Sequence, residues 1–293
     1  MPSKQVAGPS AARSTFPPNG LTTGPATSPT RAPPSPDRAF RVRLAGNIAR
    51  VNVSAHLDSD TGEEADTVSD SGLVVAVDGP SGAGKSSASR GAATELGLRY
   101  LDTGSMYRAL TWWLLDRGVD ISDAGTVGAL AAEPRIEVGT DPQAPWVRVN
   151  GTDITSVIRT REVTDAVSAV AVVPRVRAHL IAQQRDIIAK AGGIVAEGRD
   201  IGTVVAPDAP VKVYLTAAGA ERASRRAAET SRPPDATRID QDRRDRLDAA
   251  QSGKADDAVE IDSTSLSLDQ VIDTIVRLAR EYSGVPQPRH QSR

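Results

Sequence analysis

Short apolar runs alternate with longer amphipathic stretches along much of the chain. The run LVVAV at 73–77 is short, apolar and rich in valine, which is typical of a strand buried on both faces. Residues 85–96 then predict a helix that ends at Gly97, and RYL at 99–101 predicts a second strand. A second helix is predicted over 105–117. This order of strands and helices predicts an α/β fold with a parallel sheet.

The middle of the chain has a different pattern. PRIEVG at 134–139 and WVRVNGTDI at 146–154 alternate apolar and polar residues, which favours strands with one solvated face. They predict a small antiparallel insert, followed by helical residues 160–190 with a break at Pro174. Buried-strand patterns return in GGIVAEG and VKVYL, and residues 268–282 predict an amphipathic helix.

The N-terminal part lacks a core-forming pattern. Residues 1–36 hold nine of the 20 prolines, and residues 58–70 carry six acidic side chains and no basic one. Such composition cannot bury enough apolar surface to offset the loss of chain entropy on folding. We therefore expect a disordered Pro/Ser/Thr-rich and acidic extension, within which RAFRVRL and ARVNVSAHL form at most short extended segments.

These patterns give a domain organisation. A single folded α/β domain is expected, flanked by two segments without fixed structure, and it contains an insert and a polar, Arg-rich lid. The expected boundaries are 1–70 for the extension, 71–284 for the domain, about 131–190 for the insert, about 229–256 for the lid and 285–293 for a flexible tail.

Composition narrows the function classes. There is no cysteine, which excludes disulfides, thiolate catalysis and zinc–thiolate sites. The histidines His56, His179 and His290 are too scattered for a metal-binding motif. The chain has no apolar run of membrane-spanning length and no apolar core of a secretory signal, and its net charge is −2. We expect a cytoplasmic monomer that binds neither nucleic acid nor a membrane.

The clearest motif follows the first predicted strand. Residues 79–86, GPSGAGKS, match the phosphate-binding pattern G-x-x-x-x-G-K-[ST]. Glycines let the backbone wrap around a phosphate, and the N-terminus of the next helix favours the same negative charge. Lys85 is expected to reach the β- and γ-phosphates, and the Ser86 hydroxyl to ligate Mg²⁺. The residues expected to bind ATP are Gly79, Pro80, Ser81, Gly82, Ala83, Gly84, Lys85, Ser86 and Ser87.

This loop by itself predicts only that a nucleoside triphosphate is bound. A GTPase, an ATPase motor and a small-molecule kinase would each need it. The later stretch GIVAEGRD contains Glu197 and Asp200 at the carboxyl end of a predicted strand, where α/β sheets bind their ligands. The rest of the chain has to identify the second substrate.

Five blocks of the chain together match one known family. They are DGPSGAGKS, LDTGSMYRA, VSAVAVVPRVR, AEGRDIGTVVAPDAPVKVYL and DDAVEIDSTSLSLDQVI. Through them the chain resembles the bacterial cytidylate kinases over about residues 73–282. The resemblance implies a P-loop core with helices around a parallel sheet, an insert that holds a nucleoside monophosphate, and a short lid. It also implies transfer of the γ-phosphoryl group of ATP to CMP or dCMP, with Mg²⁺, in pyrimidine nucleotide metabolism.

An acceptor phosphate requires cations that hold it and that screen its repulsion from ATP. Arg108 follows DTG on the second helix and Arg199 follows the strand IVAEG, so both belong to sheet-end turns beside the expected site. Arg244 lies in the lid. The resemblance implies that these three arginines hold the acceptor phosphate. We expect catalysis from Lys85, Arg199 and Arg244, without a general base, because a monophosphate is mostly a dianion at neutral pH.

Recognition of the cytosine base requires a different set of contacts. Asp200 is suited to accept a hydrogen bond from N4 of cytosine, and Arg177 to donate to N3 and O2. Uracil reverses the pattern at N3 and at position 4, so this pair would discriminate strongly. The resemblance adds hydroxyl contacts from Thr103 and Ser168 near the base, and a sugar contact from Asp248.

The lid departs from the family pattern. In RDRLDAAQSGKADDAV, Gln251 stands where family members have a second arginine, a Pro-Leu pair is missing, and the segment is about four residues shorter. A neutral amide cannot make the charged bidentate contact of arginine, so weaker binding of CMP is expected. A kinase for another small acceptor, such as UMP, AMP or shikimate, and a regulatory nucleotide-binding protein remain alternatives.

Overall fold

A computed structural model describes residues 39–44, 47–52, 72–230 and 234–283. The strands are β1 (Ala39–Leu44), β2 (Asn47–Asn52), β3 (Val74–Asp78), β4 (Arg99–Asp102), β5 (Ile136–Val138), β6 (Val147–Val149), β7 (Thr152–Asp153), β8 (Ile194–Gly198), β9 (Val211–Thr216) and β10 (Val259–Asp262). The helices are α1 (Lys85–Leu96), α2 (Thr103–Asp116), α3 (Ala124–Leu130), α4 (Arg161–Ala171), α5 (Pro174–Lys190), α6 (Gly219–Thr230), α7 (Pro234–Asp248) and α8 (Leu268–Ser283).

The main sheet has seven strands in the order β2-β1-β10-β9-β3-β8-β4. Its five strands from β10 to β4 run parallel to one another. The four residues from Val75 to Asp78 in β3 are all buried, as a central strand with helices on both faces requires. The α/β fold with a parallel sheet predicted from the sequence is confirmed.

Alternate residues of the strands face two separate hydrophobic cores. Val75 and Val77 of β3 pack in the core that α1 and α8 cover, while Ala76 between them faces the core formed with α2 and α5. Helix α1 presents mainly alanines to its core, such as Ala88 and Ala92, and these allow it to lie close to the sheet. Both faces of the sheet are therefore covered.

The insert is also confirmed as a small antiparallel sheet, in the order β5-β6-β7. Asn150 and Gly151, with φ of 51° and 82°, form the two-residue turn between β6 and β7. Both residue types tolerate the left-handed conformation, which this kind of hairpin turn requires at both central positions. Helix α4 and a 3₁₀ turn over Val157–Arg159 connect this sheet to α5.

Strands β1 and β2 form a hairpin within the range 1–70, where short extended segments were expected in RAFRVRL and ARVNVSAHL. β1 pairs antiparallel with β10, in the register Arg43 opposite Glu260, so β10 is no longer at the edge of the sheet. The edge of β10 offers backbone groups that an alternating segment such as RVRL can satisfy. The remaining expectations for 1–70, and the flexible tail over 285–293, fall outside the described residues.

The lid contains regular helices. α6 and α7 form a helical pair, and a 3₁₀ turn over Ala249–Gln251 follows α7 directly. Within the part of the chain that the structure describes, no helix is both long and apolar enough to cross a membrane.

The fold leaves no room for a side chain at Gly79, the first residue after β3. Its φ is 148°, and a Cβ atom there would lie 2.1 Å from the main-chain oxygen of Leu215 in β9. We expect Gly79→Ala to lower the free energy of unfolding by at least about 2 kcal/mol, because neither backbone can move without breaking the sheet. Urea unfolding followed by circular dichroism measures the change.

Gly253→Ala is the matched control, since the nearest atom to its added Cβ is 3.9 Å away, on the Thr203 side chain. It should change the free energy of unfolding by less than about 0.5 kcal/mol. Equal stabilities for the two variants would contradict the proposed close approach of β3 and β9.

Candidate active site

The loop between β3 and α1 has the conformation that its glycines permit. Gly79, Gly82 and Gly84 have φ of 148°, 79° and 92°, which other residues adopt only with strain. Lys85, the first residue of α1, folds back over the loop, and its Nζ donates to the main-chain oxygens of Gly79 at 2.7 Å and Pro80 at 2.9 Å. The ammonium group is thereby held above the loop at the carboxyl edge of the sheet.

A buried carboxylate lies beside this lysine. Glu197 of β8 is 3% exposed and accepts hydrogen bonds from the hydroxyls of Tyr100 and Ser86. Burial raises the pKa of Glu197, and the negative charge of Asp102 raises it further. Burial lowers the pKa of Lys85, and the nearby Arg199 adds to the effect. Burial thus disfavours the charged form of Lys85, and a polyanionic ligand would offset that cost.

A cavity of about 480 Å³ lies between this loop, the insert and the lid. All eight residues predicted to bind the acceptor line its wall, although they come from α2, α4, α5, the turn after β8, and α7. They are Thr103, Arg108, Ser168, Arg177, Arg199, Asp200, Arg244 and Asp248. From the phosphate loop the wall includes Ser81, Gly82, Gly84, Lys85, Ser86 and Ser87, whereas Gly79, Pro80 and Ala83 do not line it.

Two of the arginines in the cavity are poorly compensated by counter-charges. Among the residues that the structure describes, the Arg108 guanidinium donates to the neutral oxygens of Ile158 at 3.2 Å and Thr164 at 2.9 Å. Burial lowers the pKa of Arg108 to about 9, and the charge of Arg244 contributes to this shift. Burial likewise lowers the pKa of Arg244, with Arg199 as the next cause. Three cations thus repel one another across one wall of the cavity.

The third cation is held by the lid. Arg199 pairs with Asp248 at 2.9 Å and with Asp245 at 3.5 Å, and both carboxylates belong to α7. Asp245 also pairs with Arg222 of α6 at 2.6 Å, and Arg222 donates to the main-chain oxygen of Ser81 at 2.9 Å. This network joins the lid to the phosphate loop and to the turn after β8.

The residues predicted to read the base are in direct contact. Arg177, on the first turn of α5, pairs with Asp200, whose side chain is only 9% exposed. The other terminal nitrogen of Arg177 donates to the side-chain oxygen of Gln251 at 3.0 Å. A cation, an anion and a neutral amide from three separate segments therefore meet at one point of the cavity wall.

The two predicted hydroxyl contacts differ from each other. Ser168 of α4 is buried and lines the cavity, and its hydroxyl has no hydrogen-bond partner among the described residues. The hydroxyl of Thr103 donates to the main-chain oxygen of Glu197 at 2.7 Å, so it also ties α2 to β8. Of these two hydroxyls, the one of Ser168 thus remains available to a ligand.

Sequence reasoning missed several residues of the site. Asp102 and Asp78 end the buried strands β4 and β3, and Asp102 pairs with Arg159 at 3.0 Å. Tyr100 reaches Glu197, which sequence reasoning noted without a role, and Trp146 of the insert lines the cavity. A carboxylate directly after a buried strand is a signal that would have found both aspartates.

Comparison with known proteins agrees with this geometry. The cytidylate kinase family model matches residues 75–281. A cytidylate kinase of Streptomyces griseus is 52% identical over 214 residues, which cover 71% of this chain and 93% of that protein. A cytidylate kinase of Streptomyces avermitilis is 49% identical over 215 residues, with the same coverage. A cytidylate kinase of Rhodococcus opacus is 47% identical over 229 residues, which cover 75% of this chain and 100% of that protein. The chain therefore belongs to the cytidylate kinase family, whose members phosphorylate CMP and dCMP.

Proposed function

We propose that this protein transfers the γ-phosphoryl group of ATP to CMP or dCMP and releases CDP or dCDP, as a step of pyrimidine nucleotide metabolism. The observation that carries the proposal is the Arg177–Asp200 pair, which lies in the same cavity as the phosphate loop. Both substrates are nucleotides of the cell interior, and the proposal therefore includes a cytoplasmic location.

The phosphate loop binds ATP in this proposal. Its main-chain amides and the N-terminus of α1 face the phosphates, and Lys85 exchanges its contacts with Gly79 and Pro80 for phosphate oxygens. Magnesium fits the donors present, because Ser86 offers a hydroxyl and the carboxylates of Asp102 and Glu197 line the same part of the cavity. When bound, Mg²⁺ neutralises charge on the phosphates.

The cationic wall binds the acceptor phosphate. Arg108, Arg199 and Arg244 raise the positive potential of the cavity, and the lowered pKa values of Arg108 and Arg244 support this assignment. A dianionic phosphate placed among the three guanidiniums removes their mutual repulsion and forms charge-assisted hydrogen bonds. Asp248 then binds the sugar, and Arg199 exchanges its ion pair with Asp248 for one with the phosphate.

The Arg177–Asp200 pair and Ser168 bind the base. Asp200 accepts from N4 of cytosine, while Arg177 donates towards N3 and O2. The unpartnered hydroxyl of Ser168 supplies a further hydrogen bond, which supports a polar ligand at this wall. In uracil the group at position 4 is an acceptor, and it would face the carboxylate of Asp200 without a donor between them. That mismatch is the physical basis of the preference for CMP.

Catalysis in this proposal depends on alignment and on charge. The acceptor phosphate is already a nucleophile at neutral pH, so no side chain has to remove a proton from it. Lys85, Arg199 and Arg244 stabilise the charge on the transferred group as it passes between the two nucleotides. The lid helices α6 and α7 cover the cavity and keep water away from ATP.

Replacement of Lys85 tests the phosphate-loop assignment. We expect Lys85→Met to lower kcat for CMP phosphorylation by about a hundredfold or more, since it removes a cation that acts on the developing charge. A coupled assay of ADP release measures this. Lys190→Met is the control, because Lys190 is exposed and pairs with Asp186 of its own helix. A Lys85→Met enzyme with kcat within a few-fold of the parent would refute the assignment.

Replacement of Asp200 tests recognition of the base. We expect Asp200→Ala to lower kcat/KM for CMP by roughly ten- to a hundredfold, because N4 loses its acceptor and Arg177 loses its counter-charge. KM for ATP should change by less than about threefold. Steady-state kinetics with CMP and with UMP give the comparison, and Asp208→Ala serves as an exposed control outside the cavity. An unchanged preference for CMP over UMP would show that Asp200 does not read the base.

A further inference from the structure

The end of the lid contacts two arginines of the acceptor site at once. Asp248, the last residue of α7, pairs with Arg199 at 2.9 Å. Gln251, at the end of the following 3₁₀ turn, accepts from Arg177 at 3.0 Å. Residues three apart on such a turn project from the same side, so one short segment reaches both guanidiniums.

The chemistry of this contact determines how the amide is oriented. A guanidinium has only donors, so the oxygen of Gln251, and not its nitrogen, has to face Arg177. Asp200 already supplies the counter-charge of Arg177 on its other side. Arg177 is thus held between a carboxylate of the sheet edge and a neutral acceptor that only the lid provides.

We propose that Gln251 is a positioning residue that determines specificity. When the lid covers the cavity, Gln251 fixes Arg177 in the orientation in which it donates to the base. Recognition of cytosine is thereby coupled to the position of the lid. This inference rests on the proposed function, because it assumes that the acceptor is a cytidine nucleotide.

Family members have an arginine at this place, and the amide was expected to weaken CMP binding. In this chain the contact of Gln251 with Arg177 indicates a different task, to which a neutral acceptor is well suited. An arginine at position 251 would place a second guanidinium against Arg177 and would remove its acceptor. A carboxylate would keep the acceptor but add a negative charge to the wall that binds the phosphate. If Gln251 instead contacted the acceptor phosphate directly, arginine would improve the site and glutamate would be the worst replacement.

Three variants separate these roles. Gln251→Leu removes the acceptor at similar size, Gln251→Glu keeps it, and Gln251→Arg replaces it with a cation. The measurements are kcat and KM for CMP and for UMP at saturating ATP. UMP is also measured as a competitive inhibitor against CMP, so that slow turnover does not hide its binding.

We expect Gln251→Leu to lower kcat/KM for CMP by about tenfold, mainly through KM, and to change the value for UMP by less than about threefold. Gln251→Glu should stay within about threefold of the parent on CMP, and Gln251→Arg should lose at least as much as Gln251→Leu. KM for ATP should remain within about twofold in all three, which also shows that the variants are folded.

Other results overturn the inference. An equal loss on CMP and UMP would make Gln251 a general part of the lid. Better binding of CMP by Gln251→Arg, or a Gln251→Glu enzyme worse than Gln251→Leu, would assign Gln251 to the phosphate.

Two further measurements complete the experiment. Lys254→Leu is the control, because Lys254 pairs with Glu260 at 3.1 Å and does not line the cavity. Its preference for CMP over UMP should equal that of the parent. A parent enzyme that does not phosphorylate CMP would overturn the proposed function itself, and this inference with it.

Discussion

The geometry of the site depends on one buried carboxylate that joins its two halves. Asp78, the last residue of β3, lies directly before the phosphate loop and is 4% exposed. Its two oxygens accept from the main-chain nitrogens of Ile201 and Gly202, each at 2.8 Å. Those amides directly follow Arg199 and Asp200 in the chain. The strand that presents the donor loop is therefore tied to the turn that presents the acceptor residues.

Burial of the Asp78 carboxylate costs free energy. Burial raises the pKa of Asp78 to about 6, and the two amide hydrogen bonds oppose that shift. The amides begin a short π-helical segment, Ile201–Val205, in which the main-chain oxygen of Asp200 accepts from Val205 at 3.1 Å. Such segments are rare in proteins and frequently occur at functional sites. Here the segment turns the chain sharply and leaves Arg199 and Asp200 facing the cavity.

The lid supplies hydrogen-bond acceptors and counter-charges to two arginines of this site. Its carboxylates Asp245 and Asp248 hold Arg199, and its amide Gln251 holds Arg177. Burial lowers the pKa of Arg108, and repulsion from the charge of Arg244 lowers it further. In the proposed function, an acceptor nucleotide rearranges the same groups that keep the lid in place. Binding of the acceptor and position of the lid would thus be linked through shared side chains.

Local pattern was sufficient to predict much of the core. Buried runs such as LVVAV predicted the parallel strands, and the phosphate motif predicted its loop, because both depend on residues close in sequence. The pairing of β1 with β10 was not predictable in this way. It depends on which strand edge is left open once the sheet has formed, and that is a property of the assembled sheet.

The site shows the same division between sequence and structure. The sequence by itself determined the fold class and the phosphate loop, and its motifs supplied the residues that we propose bind a cytidine nucleotide. Only the tertiary structure decided that Gln251 would contact Arg177, 74 positions away, and that Asp78 would bind the amides of Ile201 and Gly202. The physical reason is that hydrogen bonds have a range of about 3 Å. Which polar groups come within that range depends on how distant segments pack.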